Sequence, residues 1–183
     1  GVFAHLTPDN VVPELERLIR EAFRLSQPAY MLIPEDFARM PIRGAPVKGT
    51  RIASVSRGQS NPAELRAAVQ AIVGRMKKAR RPVALPTFHV GRYNAKAELL
   101  SFLQRTRLPF ALTEMDKGLL DETHPQYLGM YGGKSSSPAS VASVVERSDL
   151  LLEIGGVIRE DLNTGLWTDR LAKVPRITIG TDY

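Results

Sequence analysis

Nine residues of this 183-residue chain have the composition of a phosphate-binding loop: Gly129 to Ser137 read GMYGGKSSS. In a P-loop, backbone amides bind phosphates and the lysine contacts the terminal phosphate. Residues 133–135, GKS, match the end of that motif, but Leu128 occupies the position of its first glycine. Residues 124–127, HPQY, do not look like the required buried strand, and the next helix is expected only from about Pro138. We therefore predict a glycine-rich turn followed by a serine-rich helix start, and no nucleotide.

The other residues that could do chemistry are scattered. The histidines His5, His89 and His124 lack metal-ligand spacing, and the chain has no cysteine, which argues against a zinc site. His124 precedes a proline and is expected to brace a loop rather than act as a general base. The adjacent charges Asp116-Lys117 and Glu160-Asp161 could support acid–base work but are more typical of solvated or paired loop charges. We predict no catalytic residue and no metal ligand.

Composition excludes several classes of protein. With 43% hydrophobic and 24% charged residues, the chain is typical of an ordinary globular protein of one domain, or one domain and a piece of another. The basic residues behind the net charge of +6 are scattered, apart from one cluster, RMKKARR at residues 75–81, and they are not interleaved with aromatic residues. We therefore predict no nucleic-acid partner. No apolar run reaches membrane-helix length, so we predict no membrane partner. The absence of cysteine suits a reducing cytoplasm, which we predict as the compartment.

The first third of the chain predicts a helix and a strand followed by a linker. Residues 7–10 open a helix with apolar side chains at helical spacing, and residues 29–33, AYMLI, form a short apolar run of the buried-strand type. Residues 43–61 lack an amphipathic period and are predicted to be a linker. Residues 1–42 thus form a helix and strand ahead of the linker, and the family resemblance given below implies that they are the remnant of another α/β domain. Limited proteolysis is expected to cut first between Arg43 and Arg57.

From residue 62 onward, helices and apolar strands alternate. Such alternation predicts an α/β, Rossmann-like domain, a parallel sheet with helices on both faces, over residues 62–183. One predicted helix begins at residue 62, and two others cover residues 96–105 and 138–147. The predicted strands cover residues 82–85, 110–113, 150–154 and 177–179.

Ligands of such sheets bind beyond the carboxyl ends of the strands, where three loops qualify. The first, residues 86–92, carries Gly91 alone of the dinucleotide-binding glycines, so we predict no dinucleotide. The second, Thr113 to His124, holds four carboxylates, and the third spans Gly155 to Thr168. From the residues alone, the chain is a Rossmann-like domain with a degraded nucleotide loop.

Several short motifs give the chain a recognisable resemblance. Their order and spacing over residues 62–183 resemble the central domain of thiamine-diphosphate-dependent 2-oxo acid decarboxylases, of the pyruvate, indolepyruvate or phenylpyruvate type. LTPDNVVPELERLI and AYMLIPEDFARMPI resemble the end of the family's amino-terminal, pyrimidine-binding domain. The motifs are Arg81-Pro82-Val83, Leu108-Pro109-Phe110-Ala111, Met115-Asp116-Lys117-Gly118, Leu120-Asp121-Glu122, His124-Pro125, Gly129-Met130-Tyr131-Gly132-Gly133 and Asp161-Leu162-Asn163-Thr164-Gly165.

The resemblance implies a fragment of a lyase that is inactive alone. Thiamine diphosphate and Mg²⁺ belong to the full-length enzyme, whose cofactor-binding segments lie in its amino- and carboxy-terminal domains, so this chain is expected to hold neither. Those domains are its implied partners, in a homodimer or homotetramer. The implied substrate-cleft edge is Leu162, an apolar wall, with Asn163 and Thr164, although the bracing of a turn is the more common role of two such polar residues.

The residues also leave a different class of function open. The chain could be an independent, small Rossmann-like binding module that uses the cleft near Gly91, Thr113 and Gly155 for an anionic ligand. A reading frame of several hundred residues favours the enzyme fragment, and one that ends at Tyr183 favours the module.

Overall fold

The computed structural model describes residues 2–25, 27–43, 59–165 and 170–180. The chain divides into two compact units, Gly1–Asn61 and Pro62–Tyr183. The predicted linker and its cleavage sites lie mostly outside the described residues. The assignment of the first unit to another domain stays a prediction.

The first unit is a small parallel β-α-β arrangement. Strand β1 (Val2–His5) pairs with β2 (Ala29–Leu32), helix α1 (Val11–Leu25) connects them, and a 3-10 helix (Glu35–Arg39) follows. The core of this unit is small, and its buried apolar residues are Ala4, Leu6, Val11 and Leu18. Burial of so little apolar surface is what a helix and a pair of strands can achieve on their own.

Much of the apolar surface of the first unit remains exposed. Every residue of β2 is exposed, and the ring of Tyr30 stacks on that of Phe3 with 5.7 Å between the ring centroids. The exposed large apolar residues of this unit include Phe3, Ile19, Phe23, Tyr30, Met31, Leu32 and Ile33. Such an exposed apolar patch is typical of a surface that another part of a protein covers.

The second unit confirms the predicted α/β fold. Among the described residues its sheet has five parallel strands in the order β5-β4-β3-β6-β7. The strands are β3 (Pro82–Pro86), β4 (Phe110–Thr113), β5 (Tyr127–Tyr131), β6 (Leu150–Ile154) and β7 (Arg176–Ile179). The helices are α2 (Pro62–Lys78), α3 (Phe88–Arg92), α4 (Lys96–Thr106), α5 (Ser140–Glu146) and α6 (Asp161–Thr164).

Alternating side chains of the strands build two cores, one on each face of the sheet. On one face, α4 contributes Leu99 and Leu103 to a cluster with residues of β3, β4 and β6. On the other face, α5 contributes Val141 and Val145, and the buried ring of Tyr131 packs with them. The strands are therefore apolar on both sides, which is why they appear in the sequence as unbroken hydrophobic runs.

The predicted turn at Gly129 was wrong in its first part, because residues 127–131 form strand β5. A glycine inside a strand hides such an element from sequence reasoning. Gly129 has a φ of 124°, and a Cβ atom there would overlap the carbonyl oxygen of Ser137 and the ring of Pro138. Glycine is required because the chain folds back onto the strand at this point.

Candidate functional site

Three loops meet at the carboxyl edge of the sheet, as the sequence predicted. They follow β3, β4 and β6, which are parallel strands. The first contains the short helix α3, the second continues as a 3-10 helix (Glu114–Asp116), and the third leads into α6. In open α/β sheets this edge is where ligands bind, so the side chains of these loops decide what the site can do.

Asp116 joins the first two loops. Its side chain is 2% exposed, and its carboxylate accepts hydrogen bonds from the backbone N–H of Phe88, at 2.7 Å, and from the Thr113 hydroxyl. Burial raises the pKa of Asp116, and the two hydrogen bonds oppose that shift. Both carboxylate oxygens are occupied within the protein, so the arrangement suits a structural brace rather than a general base.

The same carboxylate makes the first loop unsuitable for a diphosphate. A dinucleotide-binding domain presents free backbone N–H groups at the start of the helix after the first strand. Here Asp116 accepts the N–H of Phe88, the first residue of α3, and places a carboxyl group at that point. The His89 ring stacks on Phe88 at 4.3 Å, and the Arg92 guanidinium lies 4.5 Å from the Phe88 ring centroid. The N–H at the start of α3 is therefore already bonded to a carboxylate, which disfavours a diphosphate there.

In the third loop two polar side chains are buried and a neighbouring apolar side chain is exposed. Asn163 is 1% exposed, and it accepts the N–H of Met115 at 3.0 Å while it donates to the Ile158 carbonyl at 2.7 Å. Thr164 is also buried. Leu162, in contrast, is 81% exposed. The two polar residues brace the loop against its neighbour, and the apolar one points away from the unit.

Four backbone amides of the glycine-rich stretch after β5 are satisfied within the loop. The N–H of Ser135 donates to the Gly132 carbonyl, that of Ser136 to the Gly133 carbonyl, and that of Ser137 to the Met130 carbonyl. The Gly132 N–H donates to the Ser136 hydroxyl at 3.0 Å. Because these amides are satisfied inside the loop, they cannot also bind phosphate. The loop is a structural connection to α5, with Lys134 exposed to solvent.

His89 and His124 lie in different loops of the second unit. The Nδ1 atom of His124 accepts the N–H of Gln126 at 3.2 Å, so His124 braces its loop as predicted. Burial, followed by the nearby Arg92 charge, lowers the pKa of His89. In the part of the chain that the structure describes, no three His, Cys, Asp or Glu residues come together as a metal site.

Glu153 is a buried charge that the sequence reasoning missed. It lies in β6, is 3% exposed, and accepts hydrogen bonds from the Arg159 guanidinium and, at 2.8 Å, from the Thr178 hydroxyl. Arg176 adds a second guanidinium 3.7 Å away. The signal was present in the sequence, since LLLEI places one acidic residue inside an otherwise apolar strand. A charge in a buried strand requires partners, which could have been sought among nearby arginines.

A large apolar groove lies on the α4 face of the sheet. Its volume is about 1080 Å³, with a lining that includes Val69 and Val73 of α2, Phe102 of α4, and Leu152 and Ile154 of β6. No residue of α2 is buried, although this helix carries a row of apolar side chains. The groove has the character of an uncovered packing surface rather than a site with convergent polar groups.

Within the described residues, no helix has both the length and the apolar character needed to span a membrane.

Comparison with known proteins matches residues 69–183 to the family described as "Thiamine pyrophosphate enzyme, central domain". The chain is 33% identical to a pyruvate decarboxylase of Kluyveromyces lactis over 181 residues, which cover 98% of this chain and 31% of the relative. It is 34% identical to pyruvate decarboxylase isozyme 2 of Saccharomyces cerevisiae over 157 residues, 85% of this chain and 27% of the relative. A pyruvate decarboxylase of Hanseniaspora uvarum is 33% identical over 170 residues, 93% of this chain and 29% of the relative. The chain thus spans less than a third of the length of these relatives.

Proposed function

Since the chain belongs to the thiamine pyrophosphate enzymes and carries their central domain, we propose that it is part of a longer decarboxylase that uses thiamine diphosphate on 2-oxo acids. The substrate would be of the pyruvate, indolepyruvate or phenylpyruvate type. The main support for this proposal is the similarity to a pyruvate decarboxylase, which extends over 98% of this chain but only 31% of that relative. The bond broken would be the carbon–carbon bond to the carboxylate, a step for which the cofactor supplies the electron sink.

We further propose that this part of the enzyme holds neither the cofactor nor its Mg²⁺. Two buried carboxylates near the carboxyl edge support this proposal because their oxygens contact protein partners. Asp116 accepts two hydrogen bonds inside the loops, and Glu153 is paired with guanidinium groups. The described residues of the chain would instead shape one side of the substrate cleft.

The residue proposed for the cleft edge is Leu162, flanked by Asn163 and Thr164. The exposure of Leu162 supports this role because it leaves the side chain of this α6 residue available for contact with a substrate or another domain. Asn163 and Thr164 act on the cleft through the position of the loop, since their hydrogen bonds are internal.

The proposed partners are the other domains of the same enzyme and further copies of it, as a homodimer or homotetramer. Two uncovered apolar surfaces support contact with further parts of the enzyme: the exposed strand β2 and the groove beside α2. We propose the cytoplasm as the compartment, which suits a chain without cysteine.

The alternative, an independent module for an anionic ligand near Gly91, Thr113 and Gly155, has no supporting observation. The buried carboxylate of Asp116 lies between the first two of these loops, where it repels an anion.

The proposal is tested with the full-length protein in a decarboxylation assay. Carbon dioxide release from pyruvate, indolepyruvate and phenylpyruvate is measured with and without thiamine diphosphate and Mg²⁺. We expect release from at least one acid that depends on the cofactor. No release from any 2-oxo acid under saturating cofactor would contradict the proposed function.

A further inference from the structure

Glu153 connects the sheet to the loop that carries Leu162. Glu153 sits in β6, directly before the loop, and its side chain is almost completely buried. A buried carboxylate is costly unless it is paired and hydrogen-bonded. Here that cost is offset by three partners, so the group has a defined geometry.

The partners of Glu153 come from two different elements. Oε2 accepts the hydroxyl of Thr178 at 2.8 Å, and Oε1 lies 3.7 Å from Nη1 of Arg176; both of these residues belong to the neighbouring strand β7. Oε1 also accepts Nη2 of Arg159, which belongs to the loop. The contacts to β7 fix the carboxylate relative to the sheet, and the contact to Arg159 then fixes the loop relative to the carboxylate.

The loop has a backbone that needs such an anchor. Gly155 and Gly156, between β6 and Arg159, have φ angles of 103° and 78°, in the region that glycine adopts freely. The far end of the loop is held by Asn163, which binds Met115 and the Ile158 carbonyl. With the Arg159 contact intact, the loop is held on both sides of the segment that leads to Leu162.

Removal of the Glu153 charge has a predictable direction. Nη1 of Arg176 is buried and has no hydrogen-bond partner of its own, so its charge is balanced by Glu153. Without that carboxylate, two guanidinium groups face each other. Arg176 is also held through its Nη2 bond to the Ala172 carbonyl at 3.2 Å, so Arg159 is the group expected to move out toward solvent.

We propose that Glu153 is a positioning residue: through Arg159 it holds the loop of residues 155–165, and thereby Leu162, in place at the edge of the substrate cleft. This inference rests on the proposed function for the placement of the cleft. Its structural half, the control of the loop by Glu153, stands on the contacts of the second unit alone.

The experiment compares full-length wild type with Glu153→Gln, which keeps the size of the side chain and removes its charge. Backbone hydrogen exchange over residues 155–165 should become at least about tenfold faster, with unchanged protection of β4. The ratio of kcat/KM for a small and a bulky 2-oxo acid should change a few-fold, mainly through KM. The double variant Glu153→Gln/Arg159→Gln should exchange no faster than the single one, because both substitutions break the same contact.

The matched control is Glu146→Gln. Glu146 is another partly buried acid on the same sheet face: it lies 3.5 Å from Arg170 and accepts a hydrogen bond from the Tyr131 hydroxyl, whereas Arg159 pairs with Glu153. This control should leave exchange over residues 155–165 unchanged.

Equal exchange rates over residues 155–165 in wild type and Glu153→Gln would contradict the proposal that Glu153 holds the loop. An equally large increase of these rates in Glu146→Gln would contradict it as well. Faster loop exchange with an unchanged preference among oxo acids would overturn the link to the cleft. Absence of all decarboxylation by wild type would instead count against the proposed function, while the exchange arm would still decide the role of Glu153.

Discussion

Leu162→Ala should hardly change the free energy of unfolding, whereas Asn163→Ala should lower it clearly, although the two residues are adjacent. Leu162 is 81% exposed, so folding removes only a fifth of its surface from solvent. Full burial of a leucine stabilises by about 1.5–3 kcal/mol, which gives about 0.3–0.6 kcal/mol for Leu162 in the 183-residue chain. Asn163→Ala instead leaves the Met115 N–H and the Ile158 carbonyl without partners. Each lost partner costs about 1–3 kcal/mol, so we expect a loss of about 2 kcal/mol or more.

Leu162→Ala should instead change the substrate preference of the enzyme. In the full-length enzyme, Leu162→Ala removes an apolar wall worth about 1–3 kcal/mol for a substrate that contacts it, and so should change the preference among oxo acids by a few-fold. The assay is kcat/KM for pyruvate against phenylpyruvate, beside urea unfolding of the 183-residue chain. An unchanged ratio for small and bulky acids would refute the assignment of Leu162 to the cleft. A large loss of stability in Leu162→Ala would refute the reasoning from its exposure.

Further predictions concern the braces of the site. Asp116→Ala should destabilise the second unit by about 2 kcal/mol or more in urea unfolding, because the Phe88 N–H and the Thr113 hydroxyl lose their acceptor. Because burial raises the pKa of Asp116, the folded state binds more protons than the unfolded state between the two pKa values. Wild-type stability should therefore fall as pH rises above the ordinary aspartate pKa, and Asp116→Asn should lack this fall; equal pH slopes of the two proteins would contradict it. Gly155→Ala should lower the melting temperature of the chain, since its Cβ would overlap the Thr87 hydroxyl at a positive φ. Adenine nucleotides should give no thermal stabilisation that survives high salt, and a specific, salt-resistant shift would count against the account.

The fold could be predicted from the sequence to a large extent, because its strands are apolar on both sides. Runs such as LLLEI and FALT between helical segments are typical of a covered parallel sheet, and the structure has strands at both places. Strand β5 was missed because Gly129 and the preceding His-Pro pair are typical of turns. Only the close approach of residues 137–138 explains why a glycine belongs in that strand.

The candidate site could be predicted as a set of loops but not as a set of contacts. The order of strands and helices is sufficient to place the three loops at one edge. That Asp116 would accept the N–H of Phe88, 28 positions earlier in the chain, depends on how two loops fold against each other. The same holds for Asn163, whose partner Met115 is 48 positions away. Local sequence patterns carry no information on such distant pairs.

The most direct test of the account is a calorimetric titration of thiamine diphosphate, with Mg²⁺ present, into the full-length enzyme and into the 183-residue chain in parallel. We predict saturable binding by the full-length enzyme and no measurable binding by the 183-residue chain, in which the buried carboxylates of Asp116 and Glu153 accept hydrogen bonds from protein groups. Saturable binding at micromolar concentration by the 183-residue chain would contradict the claim that this central domain works without a cofactor site of its own.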